Sequence, residues 1–279
     1  GLAANIVLDP LLIFGLGPIP AMGVAGAAIA TVAAQAVVTL LFLVHAVKSP
    51  LLKPVRIFSR VDWACMRDIV KIGGPSAVQQ MIFAGVSMVI ARMVAVFGDA
   101  AVAVQRVGSQ IESISWMTCD GFSAALSSFV AQNHGAGNLY RAKKGYHTSL
   151  LILSIWGALC SAVLIVFPAP LFRIFIPEAS ILPMGIDYLM ILGVSQLFMC
   201  LEGIASGAFS GFGKTLPPSV VGVVLTAARI PAAMWLSNTA LGLNGIWWSI
   251  TLSSVLKGVV LVFLFRLFER RIQKGRAEI

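Results

Sequence analysis

Charge is what this sequence has least of. Asp, Glu, Lys and Arg make up 11% of its 279 residues, against roughly 25% in an ordinary water-soluble domain. That excludes a chain that covers itself with a charged, water-facing surface. A hydrophobic content of 58% and a mean hydropathy of +0.93 point to lipid, for which an apolar exterior is the correct one.

Other absences narrow the function. Cys65, Cys119, Cys160 and Cys200 are scattered, with no CxxC and no metal-ligand spacing. They read as small buried hydrophobes, not as a disulfide framework or a metal site. No HExxH, GxSxG or His/Asp cluster occurs, and His45, His134 and His147 fall at helix ends or in loops. A membrane-embedded enzyme of those kinds is therefore unsupported. The net charge is +9, but the cations sit in short clusters between apolar runs. No basic helix face carries interleaved aromatics, so no nucleic-acid partner is expected.

What is present is a series of long apolar segments. A bilayer core of about 30 Å takes ~20 apolar residues per helix. Eight spans are expected: 2–14 (short), 24–47, 72–97, 104–130, 148–167, 184–209, 219–236 and 245–268. The fold class is thus all-α, a polytopic transmembrane bundle. Gly1 opens directly into the apolar run Leu2–Leu8, as a helix cut within its length would, so a piece of a longer protein, or a processed form, is expected. The polar stretch 48–71 is expected to link residues 1–47 to a six-helix unit, 72–268, with a tail at 269–279.

Lys and Arg set an orientation. Lys48, Lys53, Arg56, Arg60, Arg67 and Lys71 lie in the linker, and Arg141, Lys143 and Lys144 follow the fourth span. Lys214 follows the sixth, and Arg266, Arg270, Arg271, Lys274 and Arg276 close the chain. With alternating spans all of these fall on one side, opposite little more than Arg173. The positive-inside rule makes that side, and the C-terminus, cytoplasmic. A faint internal repeat is also legible. The first and last helix pairs each carry a mid-helix proline (Pro10, Pro231) and a GxxG opening (Gly23–Gly26, Gly242–Gly245). Parallel repeats of this kind are common in transporters.

Ionisable residues inside a membrane are costly and mark function by default. Asn5 and Asp9 are four apart and share a helix face. Pro10 has no N–H, so the Ile6 carbonyl between them is left free. With a hydroxyl from Thr31, this makes an oxygen-rich nest for a hard cation such as Na+, or a carboxylate that loads and releases a proton. The alternative is a structural cap or pair. Glu112, six residues after Arg106, is read either as a functional charge or as a structural partner of Arg106 or of a neighbouring helix. Glu202 has no basic neighbour in sequence and is expected to face a wet cavity; the alternative is a pair with Arg229 or Lys257. Arg92 is expected to snorkel, while Asp120, Arg229 and Lys257 are read as members of structural ion pairs.

The sequence resembles the multidrug and toxic compound extrusion (MATE) family. Asn5-Ile6-Val7-Leu8-Asp9-Pro10-Leu11 with Met22-Gly23-Val24-Ala25-Gly26-Ala27-Ala28-Ile29-Ala30-Thr31 is similar to that family's fifth and sixth helices. Gly73-Gly74-Pro75 with Gln79 resembles the start of the seventh, and Gln132–Asn138 with Arg141-Ala142 the loop after the eighth. Gly207–Thr215 resembles the loop after the tenth. The resemblance implies a two-lobe, twelve-helix architecture of which this chain would hold helices five to twelve, the first four being absent. It implies a monomeric antiporter of a bacterial plasma (inner) membrane that exports cationic or amphipathic organic compounds in exchange for Na+ or H+, without a cofactor. Asp9, Asn5 and Thr31 match a cation or proton site in the first lobe, with Na+ at Asp9 and Asn5. Some members carry a glutamate in the seventh helix, where this chain has Phe83-Ala84-Gly85-Val86. The second-lobe charge would then come from Glu202 and Glu112, with Gln79 and Arg106 beside the cleft. The alternative is a lipid-linked oligosaccharide flippase of the same superfamily.

Overall fold

A computed structural model describes residues 2–15, 20–48 and 62–277. The described residues form helices and turns, with no strand among them. The helices are α1 (Leu2–Ile13), α2 (Gly23–Lys48), α3 (Trp63–Ala95), α4 (Asp99–Gly135), α5 (Leu139–Val166) and α6 (Pro168–Arg173). They continue with α7 (Leu182–Gly193), α8 (Gln196–Gly211), α9 (Leu216–Ala227), α10 (Arg229–Ser237) and α11 (Leu243–Ala277). The chain divides into two compact units, Gly1–Asp62 and Trp63–Ile279. Residues 63–71, expected in the linker, are instead the first turns of α3, and most of the expected tail extends α11. Lys53, Arg56 and Arg60 lie outside the described residues.

Each expected span coincides with a helix or a helix pair. Among the described residues α2, α3, α5, α11 and the α9–α10 stretch are each long and apolar enough to cross a membrane, which makes five crossings, or six if the bent pair α7–α8 is one span. Helix α1, at 12 residues, is too short to cross alone. Helix α4, at 37 residues, is long enough but too polar to qualify by composition. The reason is its position. It packs against α5, α7 and α8, so part of its polar content, Glu112 and Ser115, is buried against protein instead of lipid.

Two spans are broken, for different reasons. Pro231 cannot donate to the Ala227 carbonyl four residues earlier and its ring crowds it; α9 ends at Ala227 and α10 starts at Arg229. No proline lies at the second break, a 40° bend between α7 and α8. There Gly193 and Ser195 loosen the helix, and the buried Ser195 hydroxyl donates to the Leu192 carbonyl at 2.8 Å.

The two GxxG turns share more than sequence. Gly23 and Gly242 both take positive φ, 55° and 50°. In each turn the second glycine sits against the end of the preceding helix: a Cβ on Gly26 would be driven into the Leu12 carbonyl, and one on Gly245 into the Leu236 carbonyl. The same local hairpin closes α1 onto α2 and α10 onto α11.

The larger unit is held by three apolar clusters. One, around Cys119, Leu126, Tyr146, Ile204 and Phe265, joins α4, α5, α8 and α11. A second, around Val104, Ile111, Tyr188, Leu189 and Trp247, joins α4, α7 and α11. A third joins α3 to α10 through Val86, Ile90, Val94 and Ala233. Along α8, Gly203, Gly207 and Gly211 meet Cys119, Ser123 and Val130 of α4 at backbone distance. Small residues let membrane helices approach this closely. Ser123 donates to the Gly203 carbonyl at 2.8 Å across the seam.

Candidate functional site

The first two clusters meet on α4 between Ile111 and Cys119, and the polar residues Glu112 and Ser115 occupy that junction. Glu112 is 7% exposed and Ser115 3%. Gln196, in the first turn of α8, is fully buried. Its Nε2 donates to Glu112 Oε2 at 3.1 Å and to the Leu192 carbonyl at 3.2 Å. The helix bend thus creates the contact: it frees the end of α7 and turns the start of α8 toward α4. Glu112 Oε1, Gln196 Oε1 and Ser115 Oγ are buried with no hydrogen-bond partner. No ion pair reaches Glu112 among the described residues.

Tyr188 completes this wall. Its ring lies on the bare backbone of Gly108, one turn before Glu112, and stacks edge-on to Trp247 at 5.0 Å. Its hydroxyl reaches toward the Glu112 carboxylate. On its other side Tyr188 lines a cavity of about 210 Å³ with Gln105, Arg106, Ser109 and Val94. Arg106 is exposed there. The Arg106–Glu112 pair, one form of the structural alternative, is not formed. Six residues turn a helix through about 600°, which places the two on different faces.

The α9–α10 break positions Arg229. Its Nε donates to Ser253 Oγ at 2.5 Å and an Nη to Ser254 Oγ at 3.1 Å, both on α11. Its guanidinium lies 5.9 Å from the Phe83 ring. Arg229 is buried, and no carboxylate forms an ion pair with it among the described residues. Its expected place in an ion pair is taken by two hydroxyls.

Glu202 is the main correction. It is not alone: Lys257 Nζ donates to its Oε1 at 2.9 Å. The partner comes from α11, 55 positions away, so local sequence carried no sign of it beyond the alternative already named. Asp120 and Arg92 are exposed and make no ion pair among the described residues. Gln79 of α3 lies against Gly222 of α9, inside the larger unit.

In the smaller unit, Asn5 and Asp9 lie on the half-buried side of α1. Asn5 Oδ1 is buried with no hydrogen-bond partner. Thr31 is exposed and donates to the Ala27 carbonyl of its own helix at 2.9 Å. The hydroxyl proton is thereby committed, and only its lone pairs remain for a ligand. The residues sequence reasoning missed are Gln196, Tyr188, Ser253 and Ser254. Gln196 left a signal, an amide inside an otherwise apolar stretch.

A membrane bundle with two interrupted helices, each placing ionisable groups beside its break, is an arrangement typical of transporters. The MatE family pattern matches residues 75–235, more than half of the chain. The chain belongs to the MATE family of membrane transporters. Over 275 residues it is 30% identical to a probable multidrug resistance protein NorM of Thermotoga maritima, covering 96% of this chain and 58% of that protein. It is 28% identical to an FAD transporter of Shewanella oneidensis, covering 93% of this chain and 58% of that one. A crystal structure of MATE in the straight conformation superimposes with a TM-score of 0.83 at 25% identity, over 98% of this chain and 61% of that one. The chain therefore spans about three-fifths of the length of the MATE relatives it matches.

Proposed function

We propose that this MATE chain forms the larger part of a secondary antiporter. It exports cationic or amphipathic organic compounds in exchange for Na+ or H+ across a bacterial plasma membrane, with its C-terminus cytoplasmic. Four further helices of the same protein complete a monomeric, two-lobe transporter. The observation that carries ion exchange is Glu112. A carboxylate so buried, with no cation paired to it among the described residues, is stabilised when an ion neutralises it. A proton or Na+ supplies that neutralisation, and the adjacent orphan oxygens of Gln196 and Ser115 suit either. Asp9 and Asn5 act as a second ion-binding element in the smaller unit. Cargo and ion must favour opposite-facing states, because a ligand shifts an equilibrium only by its differential affinity.

A second reading takes an anionic, lipid-linked cargo. Arg229 favours it, being a buried cation matched by hydroxyls and not by a carboxylate. The relative named an FAD transporter is a further reason to test anions.

The deciding experiment reconstitutes the intact protein in proteoliposomes. A fluorescent organic cation is followed under imposed Na+ and proton gradients in turn. Movement driven by one gradient, and abolished in E112Q, is the expected result. Cation movement indifferent to both gradients, with an anionic cargo moving instead, would shift the assignment to the second reading.

A further inference from the structure

The first turns of α5 carry four polar side chains with unequal fates. Lys143 and His147 face α11 and meet Glu269, whose carboxylate lies 3.8 Å from Lys143 Nζ and 3.1 Å from His147 Nε2. Arg141 and Lys144 point the other way. Both are exposed, and neither has a carboxylate partner among the described residues. They border a groove of about 480 Å³ between α4 and α5.

The groove is graded along its length. Arg141 stands in the first turn of α5, and Ser149 lies eight residues further in, about 12 Å along the helix. Lys144, Thr148 and Ser149 continue the α5 wall. The opposite wall is apolar: Phe122, Ala125, Leu126 and Phe129 of α4. Phe129 packs flat on Gly145, where a Cβ would collide with its ring, and carries the Arg141 guanidinium at 5.6 Å from its centroid. The hydroxyls are also uncommitted. Thr118 of α4 and Ser154 of α5 donate back to the carbonyl four residues earlier. The Thr148 and Ser149 hydroxyls make no hydrogen bond among the described residues, although the same kind of acceptor lies four residues before each.

Two unmatched cations, two free hydroxyls and an apolar floor, at the water-facing end of two membrane helices, fit one kind of occupant. We infer that this groove binds a phospholipid with a net negative headgroup. Its phosphate sits between Arg141 and Lys144, its glycerol ester oxygens accept from Thr148 and Ser149 further in, and an acyl chain runs over Phe122, Ala125 and Phe129. Basic pockets between membrane helices bind anionic headgroups in this way. The site is separate from Glu112 and implies no movement of the lipid across the membrane.

The test is native mass spectrometry of the intact, detergent-purified protein titrated with phosphatidylglycerol or phosphatidylcholine. Selective retention of phosphatidylglycerol is expected. R141Q/K144Q should weaken it roughly thirty-fold, about 1 kcal/mol for each cation near a membrane surface. K143Q, whose cation is already matched by Glu269, should leave it within about two-fold. A125F fills the groove without touching charge and should also displace the lipid, so the inference stays testable if the double variant fails to fold. Equal retention of the two lipids, unchanged selectivity in R141Q/K144Q or in A125F, or displacement by millimolar inorganic phosphate would each overturn it. The last result would make the occupant a soluble anion.

Discussion

Lys257 of α11 donates to Glu202 of α8 at 2.9 Å, with side chains 7% and 16% exposed. The pair spans one of the most extensive interfaces of the larger unit. Removing one partner of a buried pair leaves an uncompensated charge and costs about 3–5 kcal/mol, whereas replacing both with apolar groups is often near neutral. E202L and K257L should therefore each lower the thermal unfolding midpoint in detergent, and E202L/K257L should recover most of the loss. Losses in the single variants that simply add in the double variant would show that the two side chains do not depend on each other.

The α4–α8 seam gives a sharper steric test. A Cβ on Gly207 would sit 2.7 Å from the Ser123 carbonyl oxygen, a backbone atom that cannot swing aside. Gly207→Ala should cost about 1–3 kcal/mol through overpacking. Gly121, on α4 itself, has open space where a methyl would stand, with no atom within 4 Å. Gly121→Ala should be neutral or stabilise by up to about 1 kcal/mol, through helix propensity alone. Unfolding midpoints compared side by side decide it, and equal behaviour of the two would contradict the packing described.

How much of this could be read in advance depends on range. Helices follow from apolar length, and the α9–α10 break follows from Pro231, because both are local properties. The GxxG turns were legible as a repeat, although their shared function, seating a glycine on the preceding helix end, needed three dimensions. Partner choice was not legible. Glu202 and Lys257 are 55 positions apart, and no local pattern selects Lys257 over Arg229. The α7–α8 bend was missed because Gly193 and Ser195 are weak breakers and the apolar run continues through them. Missing the bend meant missing Gln196, whose amide starts the helix after the bend and meets Glu112.

The smaller unit offers a separable test of its own nest. Asp9 and Asn5 share the half-buried side of α1, and Asn5 Oδ1 is a buried acceptor without a donor. Thr31 has its hydroxyl proton committed to Ala27. In the proteoliposome assay Asp9→Asn should abolish gradient-driven export, and Asn5→Ala should weaken its dependence on ion concentration. Thr31→Val should have a smaller effect, because it removes lone pairs from a hydroxyl already engaged with its own helix. A Thr31→Val loss as complete as that of Asp9→Asn would place the hydroxyl in direct contact with the ion.

Glu112 and Gln196 allow charge to be separated from structure. Glu112→Gln keeps an oxygen that accepts from Gln196 Nε2 and removes only the negative charge. The fold should be retained or made more stable, since a buried charge without a paired cation is expensive. Gln196→Leu does the reverse: it leaves the carboxylate in place and strips its donor, at about 1–3 kcal/mol for an unsatisfied buried group. Ion-driven transport should therefore vanish in Glu112→Gln at a native or raised unfolding midpoint. It should survive, weakened, in Gln196→Leu at a lowered one. In Glu112→Gln/Gln196→Leu the stability lost through Gln196→Leu should be partly regained while transport stays absent. A purely structural Glu112 would give the opposite ordering, with transport tracking the unfolding midpoint across all three variants, because nothing but packing would then connect this carboxylate to the movement of cargo.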